Sequence, residues 1–403
     1  MQQPLERGVQ GTIIDQKFVI GLLFEVLRNS VGVVRSALQA TEDENFEGAL
    51  QEFQALPWIV YRRHTTYVPR IRKGCQAGCK PLPLGRGSAS ALGRVRVVQE
   101  LRLLPLISSA TEIVHALGLG KFQVGRSHEC DYPPCVAEFP VCTRPAIPVS
   151  GSSREIDRLV KERIAAAVSV YEVDSALIQS LQPTHIFTQT QCKVCAVSLD
   201  DVEQAFKEQT GIAARVVSLE PYALADLWRD IARVAEACGC TERGDELNIS
   251  LQVKMCAIAE RASTASQRPT VAALEWLEPL MAGGNWVPEL IEMAGGVNLF
   301  GLAGHHSPWM EWQQLRASDP DVIVALPCGF DLERTRGEMH WLAERPEWNR
   351  LKAVGAGRVL ICDGNQFMNR PGPRLVESLQ AFAEMLHPEL FEPKLEGLAW
   401  ERL

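Results

Sequence analysis

Strand-like and helix-like segments alternate along most of this 403-residue chain, and this order limits the fold more than any other feature. From Val95 onward, short runs rich in Val, Ile and Leu alternate with stretches whose apolar residues recur every three or four positions. The strand candidates are residues 101–107, 122–125, 185–188, 215–218, 271–274, 322–326 and 359–362. The helix candidates between them include residues 110–117, 199–208 and 224–237. Such alternation predicts an α/β fold with βαβ units and mainly parallel sheets.

A long uninterrupted helical segment divides this pattern. Residues 241–264 contain no proline and no strand-like run, and Thr241 is a suitable cap at the start. The segment separates the first four strand candidates from the last three. A single helix between two α/β halves predicts two lobes with a ligand cleft between them. We assign the lobes to residues 96–240 and 266–403, and the linking helix to residues 241–265.

The segment before the first lobe has a different composition. Apolar residues recur at three- and four-residue spacing from position 18 to position 38, which predicts an amphipathic helix within a helical extension over residues 1–60. Residues 61–95 are rich in Gly, Pro and Ser. Nine Lys or Arg residues but no Asp or Glu lie between positions 61 and 98. This composition predicts a basic linker rather than part of a packed core.

Composition and charge argue against several functional classes. The formal net charge of −8 gives no general attraction to nucleic acid or to an anionic membrane surface. The longest nearly apolar run, residues 18–27, is far shorter than the roughly 20 residues that a membrane span needs. The first residues include acidic side chains and lack the apolar core of a secretory signal. We therefore expect a cytoplasmic protein with reduced thiols.

The most informative stretch begins at residue 103, ends at residue 134 and reads LLPLISSATEIVHALGLGKFQVGRSHECDYPP. A strand ends at Ser108-Ser109, a helix opens with Thr111 and Glu112 in its first turn, and a polar loop ends in DYPP. In an open parallel sheet, loops at the carboxyl ends of strands form the binding crevice, which would place the DYPP loop in the cleft. A loop that is merely stiffened by its prolines is an equally good interpretation of these four residues.

These residues resemble the cobalamin-binding members of the helical-backbone class of ABC-transporter substrate-binding proteins. The first lobe of that family opens with similar P-x-x-T-E-x-x-x-x-L-G and V-G-x-S-x-x-x-D-Y-P-P patterns. The second half of the chain is similar to the family in VPELIEMAGGVNLFG, HHSPWMEWQQLRASDPDVIVALPCG and FMNRPGPRLVESLQAF. The resemblance covers residues 96–392. It implies two Rossmann-like lobes, a rigid linking helix, and cobalamin or another corrinoid between the lobes.

The resemblance implies ligand contacts in the second lobe. Trp309, after Pro308, matches a family tryptophan that packs against the ligand, and an aromatic plane suits the flat corrin ring. Phe367, Asn369 and Arg370 fall where the family places an aromatic side chain and a polar pair at the cleft.

The first lobe departs from the family at one contact position. The family has a ligand-touching tyrosine two residues before DYPP, and here Glu129 or one of its neighbours occupies that place. Tyr132 is the nearest aromatic residue. We therefore expect His128, Glu129 and Tyr132 to provide the contacts from this lobe.

The resemblance also concerns a protein partner. Related periplasmic proteins carry one exposed Glu on each lobe that pairs with arginines of a permease. Glu155 matches on the first lobe, but Gln313 stands at the second position and lacks the charge. This difference, together with the expectation of no secretory signal, argues against docking on an ABC permease.

The Cys192-Lys193-Val194-Cys195 sequence is absent from the periplasmic pattern but resembles a segment of cytosolic relatives. A redox dithiol is one interpretation, since residues 198–200 could start a helix that lowers a thiol pKa. Ligation of a metal ion or of cobalt is another, although a closed metal site needs further ligands. A pair of small apolar residues packed in a loop is the third.

Three histidines are candidate metal ligands. His128 lies in the predicted cleft loop, and His305 and His306 precede Trp309 across it. An imidazole can coordinate the cobalt of a corrinoid, or a zinc or iron ion in a metal-binding variant of the fold. For any one of the three, a polar loop histidine is the simpler interpretation.

We therefore expect a non-catalytic protein that binds cobalamin or a related corrinoid between its lobes. The first alternative is a protein that binds a metal, haem or an iron chelate such as a siderophore, because the fold does not determine the ligand. The second is a dithiol-dependent corrinoid-processing enzyme that uses Cys192 and Cys195. The sequence has no G-x-G-x-x-G after a strand and no G-x-S-x-G motif, so it gives no support to a dinucleotide site or a serine hydrolase.

Overall fold

The computed structural model describes residues 100–166, 169–190 and 214–403, which all belong to one compact unit, Val97–Leu403. The predicted N-terminal extension and basic linker, the predicted helix at 199–208 and the Cys192–Cys195 pair lie outside the described residues. Among the described helices, none is both long enough and apolar enough to cross a bilayer.

The first lobe is built on a small parallel sheet. Its strands in chain order are β1 (Leu103–Pro105), β2 (Thr143–Pro145), β3 (Tyr171–Val173), β4 (His185–Gln189) and β5 (Arg215–Leu219). Its helices in the described ranges are α1 (Ser108–Ala116), α2 (Ser153–Ala165), α3 (Ser175–Leu181) and α4 (Leu224–Ala237). Strands β1, β4 and β5 form the parallel sheet in the order β1-β4-β5, and β2 pairs with β3 in a separate antiparallel ribbon. All three residues of β1 are buried, which is typical of parallel strands.

The prediction of a strand at residues 122–125 is wrong. A 3₁₀ turn, Gly120–Phe122, occupies its start, and Gln123 pairs with the sheet through a single bridge to Leu103. The side chain of Gln123 is buried and donates a hydrogen bond of 3.0 Å to the carbonyl of Gly125. Local polar bonding of this kind competes with a longer strand ladder.

The second lobe is built on a larger mixed sheet. Its strands are β6 (Thr270–Leu277), β7 (Leu280–Ala282), β8 (Val297–Asn298), β9 (Val322–Ala325), β10 (Val359–Cys362) and β11 (Trp400–Arg402). Strands β6, β9 and β10 run parallel at the centre, β8 adds a short parallel pairing to β6, and β7 and β11 are antiparallel at the two ends. Six of the seven predicted strands are therefore present in the two sheets.

One helix, α5 (Thr241–Ala262), joins the lobes, as predicted. It packs against α4 of the first lobe and against the helix Leu375–Leu386 of the second. The helices of the second lobe are α6 (Val287–Met293), α7 (Trp312–Ser318), α8 (Leu332–Glu338), α9 (His340–Ala343), α10 (Lys352–Gly355) and α11 (Leu375–Leu386). Gly244 lets α5 approach α4 closely, because a Cβ there would lie 2.5 Å from Cβ of Ala235.

Apolar packing around α5 is continuous from lobe to lobe. The buried side chains of α5 join one cluster with Ile113 and Phe187 of the first lobe and Leu290 and Phe382 of the second. The buried residues that α5 contributes to this cluster are Leu251, Met255 and Ala262. The lobes are therefore connected by a shared core as well as by the chain itself.

Candidate functional site

The two lobes meet where their parallel strands end. In the first lobe, α1 begins shortly after β1, and the loop over residues 125–134 lies beside it. In the second lobe, a π-helical turn, Gly364–Met368, follows β10 and leads into α11. Side chains from these segments form hydrogen bonds from one lobe to the other. We call this region the cleft, because ligands of open α/β sheets bind at the carboxyl ends of the strands.

A buried ion pair joins α1 to the start of α11. Arg374 immediately precedes α11 and donates two hydrogen bonds to Glu112 of α1, from Nε to Oε2 at 3.1 Å and from Nη2 to Oε1 at 2.6 Å. Both side chains are buried. A forked arginine–carboxylate pair is strongly directional. It therefore holds the two helices in one relative position.

A second arginine lies beside this pair and contacts the DYPP loop. Arg370 donates from Nη1 to Oδ1 of Asp131 at 2.5 Å and from Nη2 to Oδ2 at 3.0 Å. Its Nη2 also lies 3.2 Å from the carbonyl oxygen of Glu129 and 3.0 Å from Oδ1 of Asn365. Nη1 is 3.7 Å from Oε1 of Glu112. We refer to Glu112, Asp131, Arg370 and Arg374 as the cleft charge cluster.

Burial and charge act against each other in this cluster. Burial raises the pKa of Glu112, and the hydrogen bond and charge of Arg374 and the charge of Arg370 oppose that rise. Burial lowers the pKa of Arg370, but the hydrogen bond and charge of Asp131, together with the charges of Glu112 and Glu129, leave that pKa above its ordinary value. Arg370 is therefore a permanent positive charge in the cleft.

Aromatic rings lie against the cluster. The guanidinium carbon of Arg374 is 4.0 Å from the ring centre of Tyr132 and 5.2 Å from that of Phe367. Phe367 is buried in the shared core, whereas Tyr132 is exposed. A cation placed over an aromatic face holds the ring in place. Tyr132 is thus an exposed ring of fixed position at the edge of the cleft.

His128 and Glu129 occupy the same loop on the side of the first lobe. His128 Nδ1 lies 2.8 Å from Oγ1 of Thr143, and its Nε2 lies 3.9 Å from Oε1 of Glu129. The hydroxyl of Tyr171 is 3.5 Å from the same carboxylate oxygen, and its ring centre is 5.5 Å from that of His128. Three polar side chains of the first lobe therefore lie next to one another beside the cleft charge cluster.

The surroundings of His128 and Glu129 move their pKa values in opposite directions. Burial, aided by the charge of Arg126, lowers the pKa of His128 to about 4. Burial raises the pKa of Glu129 to about 7, although the charge of Arg370 opposes the rise. The imidazole of His128 is therefore neutral at neutral pH, the form in which histidine ligates metals.

A second group of bonds joins the lobes beside α8. The N–H and hydroxyl of Ser153, at the start of α2, donate to Oε2 of Glu338 at 3.1 Å and 2.6 Å. Trp276 Nε1 donates to the carbonyl of Ser153 at 3.2 Å, and Arg334 Nη2 donates to that of Gly151 at 2.8 Å. A polar crevice of about 460 Å³ lies here, lined by Ser150, Gly151, Ser152, Asp331, Glu333, Arg334, Gly337 and Glu338. The lobes are therefore hydrogen-bonded here as well as at the cleft charge cluster.

The π-helical turn after β10 depends on a close backbone approach. A Cβ on Gly364 would lie 2.0 Å from the carbonyl oxygen of Pro327, so no other residue fits there without displacement. Asn369, just after the turn, donates from Nδ2 to the carbonyls of Leu326 at 2.9 Å and Gly364 at 3.0 Å. The side chain of Asn369 therefore holds the turn that carries Arg370 against the end of β9.

The other residues predicted in the second lobe lie on the loop before α7. Trp309 is exposed, and its ring centre is 4.6 Å from Nζ of Lys161 in α2, across the lobe boundary. His305 and His306 are also exposed, and each Nδ1 lies 3.0 Å from a backbone carbonyl oxygen of the same loop. The exposed Trp309 therefore contacts the opposite lobe, whereas the two histidines bond within their own loop.

The predicted docking and metal-ligating residues can be placed only in part. Glu155 in α2 and Gln313 in α7 are both exposed, so each is accessible to a partner. Within the part of the chain that the structure describes, no three His, Cys, Asp or Glu residues come together to hold a metal ion. Cys192 and Cys195 lie outside that part.

The sequence of this two-lobed unit matches a known family. Residues 106–365, more than half of the chain, match a family model described as periplasmic binding protein. The chain belongs to this family. Its members are binding proteins rather than enzymes, which agrees with the expectation of a non-catalytic function.

Individual relatives of this periplasmic binding protein are distant in sequence. The uncharacterized ABC transporter substrate-binding lipoprotein YvrC of Bacillus subtilis (strain 168) is 23% identical over 298 residues, 72% of this chain and 81% of YvrC. A periplasmic heme binding protein from Pseudomonas aeruginosa has a TM-score of 0.55 at 18% identity, over 72% of this chain and 93% of its own. The periplasmic vitamin B12 binding protein BtuF of Vibrio cholerae has a TM-score of 0.52 at 19% identity, over 71% and 96%. The predicted two-lobed α/β fold is confirmed.

The expected cytoplasmic location is wrong. The family is that of the periplasmic binding proteins, and the relative from Bacillus subtilis is a lipoprotein. Both point to an exported location for this periplasmic binding protein. The prediction of a cytoplasmic location relied on the composition of the amino-terminal residues alone. The family match rests on residues 106–365 instead.

Several cleft residues of this periplasmic binding protein were missed by sequence reasoning. Glu112, Asp131 and Arg374 form the cleft charge cluster with the predicted Arg370. Each stands inside a quoted motif, in ATEI, DYPP and RPGPR respectively. Glu112 was the one available signal, as the single acidic residue of α1, since a carboxylate that becomes buried needs a partner.

Proposed function

We propose that the protein is the substrate-binding component of an ABC importer and holds cobalamin or a related corrinoid between its lobes. A flat macrocycle needs apolar faces for its ring and polar groups for its rim. The lobe boundary offers both, in the exposed rings of Tyr132 and Trp309 and in the arginines of the cleft charge cluster. The named relatives support an importer, since one is a substrate-binding lipoprotein and another binds vitamin B12.

One observation carries the proposal. Tyr132 belongs to the first lobe and is exposed, yet its ring lies 4.0 Å from the guanidinium of Arg374 in the second. Trp309 belongs to the second lobe and lies 4.6 Å from Lys161 of the first. Each lobe therefore has a partly exposed aromatic ring at the boundary. An aromatic side chain buries about 150–250 Å² and loses little conformational freedom when it binds a planar ligand.

His128 is the side chain of the first lobe best suited to the metal of such a ligand. Its Nδ1 lies 2.8 Å from Thr143, and its low pKa keeps the ring neutral. When Nδ1 carries the proton, Nε2 presents the lone pair that a metal ion binds. We propose His128 as a ligand of the corrinoid cobalt.

Haem or an iron chelate is the second candidate. Arg370 and Arg374 are two guanidinium groups at the lobe boundary, and guanidinium forks match carboxylates. Haem carries two carboxylates on one edge, whereas the side chains of the corrin ring are amides. A relative from Pseudomonas aeruginosa is a heme binding protein.

The test is a binding experiment on the purified protein. Hydroxocobalamin or haem is added, free ligand is removed by desalting, and the visible spectrum is recorded. A retained corrinoid band that shifts in the wild type but not in His128→Ala supports the proposal. His115→Ala is the control, because His115 lies at the other end of α1 from the cleft. Loss of both ligands on desalting would exclude a tetrapyrrole receptor.

A further inference from the structure

The two arginines of the cleft charge cluster have partners of different accessibility. The partner of Arg374 is Glu112, which is buried on α1. The partner of Arg370 is Asp131, whose side chain is 40% exposed although that of Arg370 is only 4% exposed. Asp131 also lies on a loop rather than on a helix. Of the two carboxylates, Asp131 is therefore the one that can leave its arginine without unfolding part of a lobe.

Arg370 stays in place when Asp131 leaves. Its Nη2 is held by Oδ1 of Asn365 at 3.0 Å and by the carbonyl of Glu129 at 3.2 Å. The turn that precedes it is fixed by Asn369, which donates to the carbonyls of Leu326 and Gly364. With these contacts kept, the guanidinium of Arg370 holds Nη1, and the side of Nη2 that faces Asp131, in fixed positions. A preorganised fork of this kind favours another carboxylate in the same place.

Charge balance points to the same exchange. Arg370 and Arg374 are already paired with the two carboxylates of the cluster, and the charge of Glu129 also acts on Arg370, so an added anion would leave excess negative charge in a buried region. If Asp131 swings out to solvent as the anion enters, the buried charge stays the same. The exposed ring of Tyr132, the next residue, would then lie beside the new carboxylate.

We infer that Asp131 is a built-in competitor that occupies the position on Arg370 taken by a carboxylate of the ligand. The inference rests on the proposed receptor function and favours its second candidate, haem or an iron chelate, because it requires a ligand with at least one carboxylate near the ring edge, which the amide side chains of a corrin do not supply. Asp131 sets specificity, because a ligand without a carboxylate cannot replace it and leaves Arg370 paired within the protein. Removal of the competitor should therefore strengthen the binding of carboxylated ligands alone.

The test compares Asp131→Asn with the wild type in titrations with haem, haem dimethyl ester and cyanocobalamin. Asparagine keeps the size of the side chain and removes its charge. Binding of haem should become roughly fivefold tighter, the factor expected for loss of a half-exposed ion pair. Affinity for the ester and for cyanocobalamin should stay the same. Asp245→Asn, an exposed site on α5, is the matched control and should change none of the three affinities.

A second variant keeps the result interpretable. Arg370→Gln should weaken haem binding by roughly tenfold or more and leave the ester unaffected, with thermal unfolding recorded to show that the variant is folded. Weaker or unchanged haem binding in Asp131→Asn would overturn the inference, as would a wild type that binds cyanocobalamin but not haem. Both results leave the proposed tetrapyrrole receptor intact. Failure of the wild type to bind any of the three ligands would instead refute the proposed function.

Discussion

Replacement of Arg374 by Met removes the guanidinium that faces Glu112 and keeps a long side chain. Glu112 is buried on α1, and a buried carboxylate without its partner is unstable. The folded protein can keep the charge at a high cost in free energy, or it can take up a proton on Glu112. Uptake of a proton sets the upper limit of the loss in stability.

The limit follows from the ordinary pKa of 4.5 for this side chain. Protonation of such a carboxyl group costs about 4 kcal/mol at about pH 7.5, and about 1.4 kcal/mol at about pH 5.5. Arg370 remains 3.7 Å from Glu112 and partly stabilises its negative charge, so the loss of stability in R374M should be smaller than these two limits. A raised pKa in the folded state means that the folded protein binds more protons than the unfolded chain above pH 4.5. The stability of R374M relative to wild type should therefore fall as the pH rises.

Urea unfolding followed by tryptophan fluorescence measures the effect. Wild type, R374M, E112Q and the double variant E112Q/R374M are compared at about pH 5.5 and pH 7.5, the window set by the ordinary glutamate pKa. In the double variant position 112 carries no charge that needs a partner, so its stability at the higher pH should exceed that of R374M. Because burial already raises the pKa of Glu112 in the wild type, the wild type should also lose stability relative to the double variant as the pH rises, but less than R374M does.

Two results would refute this reasoning. R374M could lose the same free energy of unfolding at both pH values, or the double variant could be no more stable than R374M. Either result would assign the loss to the contacts of Arg374 with the rings of Tyr132 and Phe367, which both variants lack. Such packing does not depend on pH.

Three further predictions concern other parts of the cleft. Gly364→Ala should lower the free energy of unfolding by about 3 kcal/mol, because the added Cβ would lie 2.0 Å from a carbonyl oxygen. Gly355→Ala is the control, because the Cβ there enters open space, and this variant should be neutral or stabilising by up to ~1 kcal/mol. Thermal unfolding of both variants would show the difference. His128 binds a proton in the unfolded chain below about pH 6.5, but in the folded protein only below about pH 4. As the pH falls through that window, wild type should therefore lose up to ~3 kcal/mol of unfolding free energy relative to His128→Asn. A difference between the two proteins in urea unfolding that stays constant with pH would contradict the low pKa. Ser153→Ala should lower the free energy of unfolding by about 1–2 kcal/mol in urea, because the Ser153 hydroxyl donates a hydrogen bond of 2.6 Å to the buried carboxylate of Glu338 in α8. An unchanged unfolding midpoint would mean that this hydrogen bond between the lobes does not stabilise the protein.

Local patterns in the sequence predicted the elements closely where one face of an element is apolar. The helix predicted at residues 224–237 has those bounds in the structure, and the linking helix ends three residues before the predicted end at residue 265. The strand at residues 122–125 failed, since a short apolar run does not show whether a neighbouring strand is available for pairing. The predicted cytoplasmic location was also wrong, because it rested on the composition of the amino-terminal residues, whereas the family match and the lipoprotein relative indicate export.

The sequence by itself determined the α/β class, the two lobes with one linking helix, and the segments that line the cleft, since each of these follows from residues close together in the chain. Only the tertiary structure decided which charges meet. Glu112 and Arg374 are 262 positions apart, and Asp131 and Arg370 are 239 apart. No local pattern relates residues at such separations. Their pairing depends on how the shared core around α5 orients one lobe against the other, because a buried charge is stable only beside the partner that this orientation provides.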